Sequence, residues 1–190
     1  MYTTVHTRYS GNIRHRILRK GGPMSVRATV STVGVERLPA SVRTLSSLSR
    51  IDYADHFLLP TDAVAPVERW ARVMFGDTPD AIELFLWCGL MGLRLSRTVS
   101  AHTVAGWQIG EQDDEWIRLE ATSWFLTANL VVQATGDSVA LGTFLRYDRW
   151  LAHLVWPPLS VLHRQLVPGV LRKAATRIAA GKVRGGVSSP

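Results

Sequence analysis

Residues 126–147 read Leu-Thr-Ala-Asn-Leu-Val-Val-Gln-Ala-Thr-Gly-Asp-Ser-Val-Ala-Leu-Gly-Thr-Phe-Leu-Arg-Tyr, two alternating runs around Thr135-Gly136-Asp137-Ser138. Gly-Asp suits a two-residue hairpin loop with positive φ. With Gly136 and Asp137 as that loop, one face pairs Leu126 with Tyr147, Ala128 with Leu145, Leu130 with Thr143 and Val132 with Leu141. The other face pairs Phe125 with Asp148, Thr127 with Arg146 and Asn129 with Phe144. A slip of one residue would mix the two sets, so the sorting itself supports the register. The apolar face is the natural core side, and the Thr127, Asn129, Arg146, Asp148 face reads as turned to solvent.

Working outward, the same period of two spans 104–149. A second hairpin joins Val104–Glu111 to Trp116–Thr122 through the polar turn Gln112–Glu115. Upstream, Ile51–Leu59 reads as a strand ended by Pro60. Pro66 then opens a helix carrying Val67, Trp70, Ala71 and Met74 on one face, with Gly76 as its C′ residue. Thr78-Pro79-Asp80 starts a second helix, apolar nearly all round and running to about Arg94. Downstream, Pro157 and Pro158 suit the first turn of a long helix with the stripe Leu159, Leu162, Leu166, Val170, Leu171, Ala174 and Ile178. Pro168 lies inside that stripe and predicts a kink or a break. The class is α+β: an early strand, two short tandem helices, an antiparallel sheet of hairpins and a long C-terminal helix.

The 190 residues carry a net charge of +7, but the excess sits at the ends. Residues 1–24 hold five basic and no acidic side chains, and 172–190 hold five more, which leaves the middle slightly acidic. The domain reading is a basic disordered arm or mis-annotated leader over 1–24 and an N-terminal extension over 25–50. In that extension Val26–Val35 is an edge-strand candidate and Ser41–Arg50 a linker. The folded domain covers 51–180, and 181–190 is a disordered tail. Cys88 is the only cysteine, which excludes an intrachain disulfide and a multi-thiolate metal site and suits the cytoplasm. The longest apolar run, Leu84–Leu93, is too short for a transmembrane segment of about 20 residues. The basic ends allow weak contact with a membrane surface, but no specific nucleic-acid motif is present.

The order of elements resembles the START-like helix-grip superfamily (SRPBCC, polyketide cyclase-like). More narrowly, Pro66-Val67-Glu68-Arg69-Trp70-Ala71 through Phe75, and His163-Arg164-Gln165-Leu166-Val167-Pro168 with Leu171-Arg172, resemble an uncharacterised actinobacterial family within it. The resemblance implies a curved antiparallel sheet wrapped around the C-terminal helix, with a cavity between them for a hydrophobic or amphipathic, lipid- or polyketide-like small molecule. The sequence supplies five or six strands, where the superfamily has seven. On that fold the cavity candidates are Trp107, Trp124, Leu126, Leu145, Tyr147, Leu159, Leu162 and His163. Arg146 and Asn129 would contact a headgroup if their face looked inward, a planar guanidinium being suited to a carboxylate or phosphate.

His163 is the best polar candidate. It reads either as a general base or ligand contact, or as a hydrogen-bonded histidine tying helix to sheet. His153 and His163 are ten residues apart and no acid follows them, so no metal site and no cofactor are expected. No nucleophile or phosphate-loop motif occurs. Three functions stay open: non-enzymatic binding in the cavity, a cyclase/aromatase-type enzyme using His163 or Tyr147 there, and a protein-interaction or peripheral membrane module. A homodimer is compatible with each.

Overall fold

The computed structural model describes residues 28–76, 91–96 and 100–185. Seven strands form one sheet: β1 (Val30–Val33), β2 (Tyr53–Pro60), β3 (Thr103–Val104), β4 (Trp107–Gln112), β5 (Trp116–Thr122), β6 (Leu126–Thr135) and β7 (Ser138–Tyr147). Their spatial order is β1-β2-β7-β6-β5-β4-β3, and every neighbouring pair is antiparallel. The α-helices among the described residues are α1 (Ala40–Arg43), α2 (Val67–Phe75) and α3 (Leu151–Gly185). The chain is therefore α+β, with a seven-stranded antiparallel sheet and a long C-terminal helix. Among the described residues no helix is long and apolar enough to cross a membrane.

The β6–β7 register is the one that the side-chain pattern demands, from Leu126 opposite Tyr147 to Thr135 opposite Ser138. The loop geometry differs from the expectation, because neither Gly136 nor Asp137 adopts a positive φ. A side chain and a neighbouring backbone hold the turn instead: Thr135 Oγ1 donates to Asp137 Oδ1 at 3.0 Å, and the backbone N–H of Thr61 donates to the Asp137 carbonyl at 2.9 Å. The left-handed pair lies elsewhere. Ala105 and Gly106, at φ 49° and 82°, turn the chain between β3 and β4, so Val104–Glu111 is not one strand. A Cβ on Gly106 would stand 2.6 Å from the Ser96 carbonyl oxygen, a contact that only glycine avoids.

The expected second helix, 78 to about 94, falls mostly outside the described residues. Its last part does not bear the expectation out: Met91–Ser96 is irregular, non-helical chain beside the sheet, with Arg94 N–H bonded to the Thr122 carbonyl and Ser96 N–H to that of Gly106. Helix α3 starts at Leu151, which puts Pro157 and Pro158 in its second turn. It passes Pro168 as one helix and continues beyond Gly181, where the tail was expected to begin.

The inner face of the sheet and helices α2 and α3 enclose the main core, including Phe57, Trp70, Trp107, Ile117, Leu119, Leu126, Leu145, Trp156 and Leu171. The outer face is not the simple solvated surface that its polar residues suggested. The stretch Val35–Ile51, which holds α1 where a linker was expected, packs Leu38 and Val42 against Ala54, Val131 and Phe144. Gly142 leaves room for this: a Cβ there would come within 3.0 Å of the Phe144 ring.

Candidate functional site

Alternation along β2 turns Tyr53, Asp55, Phe57 and Leu59 to the inner face, and register places Asp55 opposite Thr143 on β7. Across from them α3 runs Trp156, Leu159, Leu162, His163, Leu166 at helical spacing. Between the two lies a cavity of about 140 Å³. Sheet residues such as Trp107, Ala128, Leu130, Leu141 and Leu145 form one wall, and Leu159, Leu162, Leu166, Val167 and Val170 form the other. Leu162 and Leu166 are 41% and 48% exposed, so the cavity reaches the surface beside them.

The polar part of the lining is one spot. His163 Nε2 stands 3.1 Å from Thr143 Oγ1 and 3.2 Å from Asp55 Oδ2. Asp55 is fully buried and also accepts a hydrogen bond from the Tyr53 hydroxyl at 2.6 Å. Burial and the Asp55 charge push the Tyr53 phenol far above its ordinary range, so it stays a donor. The histidine ring lies among aromatic edges, with Trp156 at 5.5 Å and Phe57 at 6.4 Å between centroids. Nε2 is the ring nitrogen turned to Asp55 and Thr143, the side from which the ring can donate to the carboxylate.

Of the sequence candidates, the structure gathers Trp107, Leu145, Leu159, Leu162 and His163 around the cavity. It places the others elsewhere. Leu126 is packed in the core, and Trp124 is 58% exposed at the β5–β6 turn. Tyr147 faces inward but stacks edge-on against His153 at 4.7 Å, away from the lining; burial and Asp52 push its phenol up to about 12.

Arg146 and Asn129 belong to the outer face, so the headgroup expectation is corrected. Strand alternation puts them across the sheet from the cavity. Arg146 Nε donates to Asp148 Oδ1 at 2.6 Å. Burial works to raise the Asp148 pKa, but bonds from Thr127 and Arg146 prevail and hold it below the usual carboxylate value. Asn129 Oδ1 accepts from Ser46 Oγ and Ser47 N–H, both at 2.9 Å, and so fastens the 44–50 segment to the sheet.

Sequence reasoning missed Asp55, Tyr53, Thr143 and Trp156 as members of the site. An acid at an inward position of an otherwise apolar strand was the available signal, since a buried carboxylate requires a partner. Among the described residues no cluster of His, Cys, Asp and Glu is arranged to hold a metal ion. No family model, curated protein or solved structure matches the chain.

Proposed function

We propose that the chain is a START-like helix-grip protein that binds a hydrophobic or amphipathic small molecule between its sheet and C-terminal helix, without chemical conversion. The carrying observation is the apolar cavity with a single polar spot, the usual make-up of a small-molecule site. Its volume of about 140 Å³ suits one ring or the end of an acyl chain. Apolar cavities near that size, about 150 Å³, take up benzene rather than water. The lone cysteine supports a cytoplasmic setting.

A second reading has its own observation. His163 is oriented by a buried carboxylate, the pairing that fixes a tautomer for proton transfer. In that reading His163 serves a cyclase-type reaction. Tyr147 takes no part, being off the cavity and held protonated.

The test is native mass spectrometry of the chain purified gently from its host, followed by organic extraction. A one-to-one adduct, lost in Leu145→Trp where the indole fills the cavity, is the expected result. An empty protein that also takes up no small aromatic probe refutes the proposal. Recovery of the extracted molecule unchanged after long incubation supports binding alone; conversion that stops in His163→Gln supports the second reading.

A further inference from the structure

The outward side of α3 lacks the charged residues that normally cover a helix exposed to water. From Leu151 to His163 the chain carries no Asp, Glu, Lys or Arg. Ala152 and Trp156 turn the inner side of this stretch to the core. Its outer side is apolar as well: Leu154, Pro158, Val161, Leu162 and Leu166 follow one another at helical spacing, and all are exposed, Leu154 by 62%. Two tryptophans continue the ridge at the start of the helix. Trp150, four residues before Leu154, is 70% exposed, and Trp124 is exposed beside it. Arg149 Nε donates to the Trp124 carbonyl at 3.3 Å, so both tryptophans lie at the same end of the molecule.

A row of exposed apolar side chains of this extent marks a contact surface. Three features identify what covers it. From Arg149 to Gly185 the chain has no acidic residue, whereas Arg172, Lys173 and Arg177 are exposed two to three turns beyond Leu166; the partner is apolar within and anionic at its edge. An indole, apolar with a single N–H, is the side chain enriched where headgroups meet acyl chains. Leu162 and Leu166 belong both to the ridge and to the mouth of the cavity, so whatever covers the ridge meets the mouth as well. On this ground we infer that the outer face of α3 docks on an anionic lipid bilayer. The ridge enters the acyl boundary, the three cations lie among the headgroups, and the cavity mouth turns toward the phase in which an apolar ligand dissolves. The helix is not long and apolar enough to cross a membrane, so it lies along the surface. A second copy fits less well, because α3 against α3 joins two faces that carry cations and no acid. The use of the mouth rests on the cavity being a binding site, as proposed above; the docking does not.

The experiment is co-sedimentation of the full chain with vesicles of phosphatidylcholine alone and of phosphatidylcholine mixed two to one with phosphatidylglycerol. Binding is expected to the mixed vesicles only, weakening as salt rises, with a blue shift of tryptophan emission that shrinks in Trp150→Phe. Leu154→Gln with Val161→Gln should lower the vesicle affinity at least about tenfold. Arg172→Gln with Lys173→Gln and Arg177→Gln should lower it on the order of a hundredfold. All five side chains are exposed, so these variants fold. The basic residues of 1–24 are present in each, so a loss is assigned to α3. No binding to the mixed vesicles, or variants that bind as tightly as the parent, overturns the docking. So does a stable dimer that Leu154→Gln with Val161→Gln dissolves, which makes a second copy the cover. Uptake of benzene without vesicles, followed by saturation-transfer NMR, reports on the cavity separately: its absence strikes the binding site and leaves the docking standing, while uptake kept in a variant that has lost the vesicles is the expected result.

Discussion

Removing the Asp55 carboxylate tests whether the polar spot beside the cavity is a sealed network. The group has no exposed surface, and its two partners reach it from different elements, Tyr53 from its own strand at 2.6 Å and His163 from α3 at 3.2 Å. In Asp55→Ala both lose their acceptor. Hydrogen bonds to a charged group contribute about 1.5–3 kcal/mol each. Breaking a buried pair from one side costs about 3–5 kcal/mol in all, so a loss near 4 kcal/mol is expected. For a chain of this size that lowers the melting temperature by about 10 °C. Asp55→Asn keeps the shape and an acceptor for Tyr53, and should lose about 1–2 kcal/mol. Urea unfolding followed by tryptophan fluorescence gives the free energies, with calorimetry for the midpoint. Because the two residues share one interaction, Asp55→Ala with His163→Ala should fall short of additivity by at least about 1 kcal/mol. A loss below about 1 kcal/mol in Asp55→Ala, the scale of exposed pairs, would mean that water reaches the carboxylate. The sealed-network argument would then be wrong.

Three further outcomes follow from other parts of the molecule. Asn129→Ala leaves the Ser47 N–H and the Ser46 hydroxyl without their acceptor, while the Ser47 hydroxyl keeps Glu120 Oε1 at 2.8 Å; a loss of about 2–3 kcal/mol and faster proteolysis within 44–50 are expected, and unchanged cleavage would count against the anchoring role. Gly106→Ala forces a Cβ toward the Ser96 carbonyl at a φ of 82° and should cost about 2 kcal/mol, measured by the same unfolding titration. On the outer face, burial holds the His56 pKa below 6.5 against the opposing pull of Gln133 and Asp55. The folded state therefore resists protonation more than the unfolded chain does. This contribution is fully present above the unfolded value of 6.5 and is lost as pH falls from there toward the folded value. His56→Gln should flatten that part of the stability curve between pH 7 and 5, and an unaltered slope would show that another group is responsible.

Much of the fold was legible because its signals are local. Period-two alternation in 126–147 has one register that keeps apolar and polar residues apart, and the structure adopts it. The α2 boundaries follow from Pro66 and Gly76, whose backbone restrictions act on their own neighbourhood. Where local signals misled, tertiary contacts outweighed them. Gly136 looked like the left-handed turn residue, yet the Thr135 and Ser138 side chains close that turn without it, and the left-handed pair is Ala105-Gly106, pressed against Ser96. The polar residues on the outer side of β6 and β7 looked solvated because nothing in their own strands shows that 35–51 folds back over that face, where it takes Asn129 as its anchor.

The site divides along the same line. His163 and the leucines of α3 could be picked out because helical spacing alone puts them on adjoining faces. An inward acid on β2 was a hint of a buried pair, but its partner could not be named, since Asp55, Tyr53 and Thr143 join His163 only when β2 and β7 pair and α3 crosses them, with Asp55 lying 108 positions from His163. The sequence by itself determined which residues point to the same side of each element, because strand and helix periods are properties of the backbone. Which side would be covered, and which polar groups would meet there, was decided by tertiary structure alone: burial and hydrogen-bond satisfaction belong to pairs of distant segments, and neither segment carries them singly.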